Sequence, residues 1–185
     1  MRDAVIACAL AAAAVASGWA QGLVEWQENV VSGVGVLRLA VPEGWTAESH
    51  APAPGTVKIT LVPRDGAPAR VLIIGTASAA EPGLKSTGDI KRAARSMGEA
   101  MLPGSMEEKI GLERVDGTDG SGFFYTLTDR RPELPEGEFR VTTQGIMAVG
   151  ALRLAVTVLS QEKDSPAARV AFAMLRTAEC RPAGR

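Results

Sequence analysis

Hydrophobic and polar positions recur at two periods along this chain, and the switches between them mark its elements. Residues 35–41, GVLRLAV, alternate and then stop at Pro42, Gly44 and Trp45. A loop rich in proline and alanine is expected from there to Gly55. Val57, Ile59 and Leu61 alternate with Lys58 and Thr60, the period-two signature of a half-buried strand. Residues 63–68, PRDGAP, are turn chemistry, with Asp-Gly supplying positive φ. Residues 69–77, ARVLIIGTA, are apolar on both faces and predict a central strand, paired with its predecessor as a hairpin.

The period then changes. Ile90, Ala93, Ala94, Met97 and Met101 fall at helical spacing, with Lys91, Arg92, Arg95 and Glu99 on other faces. Ser86 or Thr87 can cap the start, and Pro103-Gly104 ends the segment. Gly98 costs a helix about 1 kcal/mol relative to alanine, and its place on the apolar side suggests close approach of helix to sheet. Four more strands are expected at 107–115, 121–129, 138–148 and 151–159, the first two meeting at DGTDG (116–120). Ser165-Pro166 opens a second helix in the favoured order of cap and first-turn proline, with Ala167, Val170, Ala171, Met174 and Leu175 as its stripe. The order β-β-β-α-β-β-β-β-α, joined mostly by hairpins, predicts an α+β fold: a mostly antiparallel sheet of six to seven strands with two main helices.

The first twenty residues follow a different logic. Arg2 supplies a short positive region, Ala4 to Ala16 are uninterruptedly apolar, and Ser17-Gly18-Trp19-Ala20 provides small residues before a cut. Cleavage after Ala16 is a second reading. Thirteen apolar residues fall short of the roughly 20 that span a membrane. The chain therefore divides into a signal peptide (1–20), a lead-in (21–34), one domain (35–178) and a flexible tail (179–185). Cleavage removes Cys8 and leaves Cys180 as the only thiol, in a tail expected to fray. The address is the bacterial periplasm or beyond, with no stable membrane span after cleavage.

Charge and composition exclude one class of partner. With 20 Lys and Arg against 21 Asp and Glu, no basic run and 4% aromatics, nucleic-acid binding lacks both its electrostatic footprint and its stacking residues. Catalytic signals are equally thin. His50 is the only histidine, which excludes a multi-histidine metal site, and it lies in AESHAPAPG without a nucleophile or orienting acid. DGTDGSG (116–122) fails as a calcium loop, because the fifth position is Gly120 and the twelfth is Leu127. Ser32 and Ser121 do not fit a nucleophile elbow, and Glu133, Glu136 and Glu138 share a proline-rich loop without rigid support. No catalytic residue, metal ligand or cofactor is assigned. Lys91, Arg92 and Arg95 form the most compact basic cluster: a solvated helix face in the plain reading, a docking face in the sharper one. Trp45, with the 46–55 loop and His50, is the first place to look for a binding surface.

The elements also carry a resemblance. The opening strand and turn LRLAVPEGW (37–45), the hairpin to RVLIIGTA, the helix IKRAARSMGEAM (90–101), the meander and the helix PAARVAFAML (166–175) resemble the PsbP/Mog-like α/β/α sandwich group, in the style of bacterial DcrB-type exported proteins. The resemblance implies a non-enzymatic binding, assembly or chaperone-like protein. Combined with the leader, it predicts a periplasmic protein that binds or assists another envelope protein. A small-ligand or lipid-binding module with an apolar pocket is the alternative, and a hydrolase whose residues converge only in the fold is the third.

Overall fold

The computed structural model describes residues 24–182; residues 1–23, which hold the expected signal peptide with Cys8, and the last three residues lie outside the described residues. Ten strands and two α-helices follow in the order β1 (Val24–Val31), β2 (Gly35–Pro42), β3 (Trp45–His50), β4 (Thr56–Pro63), β5 (Ala69–Ala77), α1 (Thr87–Met101), β6 (Glu113–Gly117), β7 (Gly120–Thr128), β8 (Val141–Val149), β9 (Leu152–Ser160), α2 (Pro166–Thr177) and β10 (Glu179–Pro182). They form a seven-stranded sheet, β3-β4-β5-β9-β8-β7-β6, and a three-stranded sheet, β1-β2-β10. Every pairing is antiparallel; six of the eight join consecutive strands, while β5–β9 and β2–β10 join strands distant in sequence. The class is α+β, as the hydrophobic periods predict.

The large sheet separates two layers. On one face Ile59, Ile73, Val156, Gly145 and Phe124 lie in one cross-strand row, beneath α2 and the inner face of β2, whose Leu37 and Leu39 are fully buried. On the other, α1 sits on β7 and β8. There Ile90, Ala94, Phe123 and Ile146 form a second cluster, and Ile110, Tyr125 and Leu127 a third. The close approach suggested at Gly98 is present: a Cβ there would lie 2.9 Å from Ile110 Cδ1 and 3.2 Å from Tyr125 Cδ1. Ser86 caps α1 in a full capping box with Asp89, and Ser165 caps α2 ahead of Pro166.

Four expectations need correction. The lead-in is not featureless, because β1 pairs along its whole length with β2. Residues 46–50 are not loop but the edge strand β3; TAESH hides its period because an edge strand with one wet face carries few apolar residues. Residues 107–112 lie outside β6, and Ile110 and Leu112 instead fill the seat of α1. The tail does not fray over 179–182: β10 pairs with β2, and the Cys180 N–H donates to Asp119 Oδ2 at 2.9 Å. The same DGTDG turn holds the end of α2, where the Thr118 N–H and hydroxyl both donate to the Arg176 carbonyl. That satisfies a helix-end carbonyl which would otherwise be orphaned. Cys180 is half-buried and packs on the core, and burial pushes its thiol above the ordinary range.

Candidate functional site

The residues singled out in the sequence do not converge. His50 closes β3, exposed, opposite Lys58. Lys91, Arg92 and Arg95 are all exposed on α1, yet their charges part company. Arg92 pairs with Asp89 one turn back, while the Lys91 ammonium lies 5.7 Å from the centre of the Phe123 ring. Among the described residues no three His, Cys, Asp or Glu side chains gather around a common point, and no helix is long and apolar enough to cross a membrane.

Trp45 is different. It starts β3 on the core-facing side, 9% exposed, and walls two depressions at one corner of the molecule. One is a groove of about 430 Å³ between the β2–β3, β4–β5 and β9–α2 connections. Trp45, Pro63, Pro68 and Pro166 supply its apolar surface, while Glu43, Asp65 and Glu162 stand in its lining without a basic residue. Its polar groups are largely spent locally: Asp65 Oδ1 accepts from the Ala67 N–H, the Ser160 hydroxyl donates to the Glu162 carbonyl, and Ser165 caps α2. What remains is an apolar trough with a one-signed electrostatic field.

The second depression, about 380 Å³, lies between β1 and β3 and is lined by Glu25, Gln27, Val41, Ala47 and Arg64 among others. Behind it the inner face of β1 is unusual. Gln27 and Asn29 stand opposite the buried Leu39 and Leu37 in the β1–β2 register. Asn29 is only 4% exposed, yet neither its Nδ2 nor its Oδ1 finds a hydrogen-bond partner among the described residues, and Gln27 Oε1 is likewise unpartnered. On the outer face Arg38 lies 4.5 Å from the centre of the Trp26 ring and pairs with both Glu28 and Glu179. Sequence reasoning reached Trp45 but missed β1. The signal was there in VEWQENVV, whose two-residue period places amides where aliphatic side chains belong.

No family model matches this chain, and no curated protein matches it. Solved structures do. It is similar to a crystal structure from Bacteroides thetaiotaomicron VPI-5482, at 14% identity and a TM-score of 0.49, over 89% of this chain and 50% of that one. This chain thus spans half the length of the Bacteroides protein. It is also similar to the solution structure of cyanobacterial PsbP (CyanoP) from Synechocystis sp. PCC 6803, at 13% identity and a TM-score of 0.47, over 90% of this chain and 99% of that one. These likenesses are too distant to assign a family or an activity, so the case for function rests on the Trp45 corner.

Proposed function

We propose that the mature chain is an exported, periplasmic, non-enzymatic protein of PsbP/Mog-like type that binds another envelope protein. The observation that carries this reading is the groove beside Trp45. It joins an aromatic wall, three prolines and an acidic lining at one end of the sheet. A partner segment that places an apolar side chain against Trp45 and a lysine or arginine beside Glu43, Asp65 or Glu162 satisfies both features. The leader supports the address, and the sequence resemblance supports the non-enzymatic class.

Photo-crosslinkers at Ala67 and Glu162, introduced in cells that export the protein, test the reading. Both should yield the same discrete protein adduct, and a crosslinker at the exposed Glu99 on α1 should not. Absence of any adduct, together with a small-molecule mass retained in native mass spectrometry, would replace this reading with the small-ligand one.

A further inference from the structure

The cleft on the other side of Trp45 is built from strand edges. Glu25, Trp26, Gln27 and Glu28 are consecutive in β1, and Trp45, Thr46 and Ala47 are consecutive in β3. Successive strand residues point to opposite faces. A cavity touched by all of them is therefore entered along the edge of each strand, not from a face. Both strands are terminal in their sheets, so each carries one backbone row that pairs with no described strand.

Terminal strands are ordinarily blunted by shortness, proline or lysine. The five-residue β6 is short and charged, and β10 is four residues long and ends in Pro182. β1 is eight residues long, lacks both proline and lysine, and exposes Trp26 at 44% and Val30 at 73%. Gln27, which lines the cleft, keeps its buried Oε1 unpartnered among the described residues, and Asn29, two residues further along β1, keeps both of its amide atoms so. Such groups are costly when buried without a donor or acceptor, and an incoming polypeptide brings both.

We propose that the free edge of β1 takes an extended segment of a partner polypeptide, added as a fourth strand to the small sheet. Main-chain hydrogen bonds to β1 give the affinity, and alternate side chains of the segment read the two sides. Inward residues meet Val41, Trp45 and Ala47, outward ones meet Trp26 and Val30, and a basic residue faces Glu25. Glu25 has no ion-pair partner among the described residues, whereas Glu28 is committed to Arg38. This inference rests on the proposal that the ligand is a polypeptide, and it adds the mode and the strand.

The test pans a displayed library of random dodecapeptides against the processed, folded chain. Enriched sequences should alternate apolar residues and carry lysine or arginine. A synthetic peptide of that sequence should slow hydrogen exchange at residues 25–30 and give cross-strand amide contacts to β1. Glu25→Lys, a change at an exposed side chain, should weaken that peptide about tenfold, or roughly 1.4 kcal/mol, with an unchanged melting temperature. Peptides that protect only the groove around Ala67 and Glu162 would overturn strand addition while leaving the polypeptide ligand intact. A library that enriches nothing would overturn both, and an unchanged affinity in Glu25→Lys would overturn the charge assignment.

Discussion

Among the described residues two places bury side-chain amides, and they treat them in opposite ways. Under α1, the Tyr125 hydroxyl donates to Gln144 Oε1 at 2.6 Å, and Gln144 Nε2 donates to Thr157 Oγ1 at 3.2 Å. Each link satisfies the next, Tyr125 is 2% exposed, and burial pushes its phenol above the ordinary range. On β1, Gln27 and Asn29 sit beside buried leucines and leave three polar atoms without partners among the described residues. A closed chain of this kind stiffens a core. An open one costs stability for as long as it stays open, so it marks a surface arranged for something else. The first region is finished by folding; the second, on the strand-addition proposal, is finished by a partner.

The largest way to break this contrast is Trp45→Ala, which removes the wall shared by groove and cleft. Because Trp45 belongs to the main core, unfolding free energy should fall by about 3–5 kcal/mol, read from a urea titration. A loss below about 1 kcal/mol would mean that the ring is a platform held outside the core. Next is Gln144→Leu, which leaves the Tyr125 hydroxyl only the Met101 sulfur at 3.4 Å, takes the donor from the Thr157 hydroxyl and should cost about 1–3 kcal/mol. Asn29→Leu should do the reverse and raise stability by about 1 kcal/mol, since it removes an amide with nothing to bond. If Asn29→Leu destabilised as much as Gln144→Leu, the two regions would be alike and the case for an open β1 would fail.

Much of this architecture is legible in the chain, and the misses share a cause. Strands β2, β4, β5, β7, β8 and β9 and both helices announce themselves because their inward positions are aliphatic at a clean period. Ser86 and Ser165 announce the caps. β3 and β10 do not, because edge strands with wet faces lose the alternation that a buried face imposes. β10 also depends on a contact no local pattern contains, the Asp119 carboxylate reaching across 61 residues to the Cys180 N–H. The site was half legible. A turn tryptophan in P-x-G-W could be picked out, but Gln27 and Asn29 become notable only when β2 places leucines opposite them. The basic trio on α1 is a warning in the other direction, because sequence proximity did not make Lys91 and Arg92 act together.

The smallest expected effect is electrostatic, and it falls on the finished side of the molecule. Glu107 is partly buried, which alone would raise its carboxyl. The bonds it accepts from Lys163 and from the N–H and hydroxyl of Thr128 outweigh that and hold it below the ordinary value of 4.5. Asp129, bonded chiefly by the Arg131 side chain, is lowered to about 2. Both groups are depressed in the folded state, so the unfolded chain takes up protons first as the pH falls. Their contribution is complete above about pH 4.5 and drains away on acidification, reaching toward about pH 2 for Asp129. The protection of the amides around Thr128 and Asp129, taken relative to the intrinsic exchange rate at each pH, should therefore fall between about pH 4.5 and 3, with Glu107→Gln flattening the upper part of that change. β1 carries the Glu28–Arg38 pair, and on the strand-addition proposal its exchange should follow the added peptide more than the pH. If acid loosened β1 before Thr128, the edge would depend on charge pairs such as Glu28–Arg38 and not on an added strand, and the distinction between the two regions would have to be redrawn.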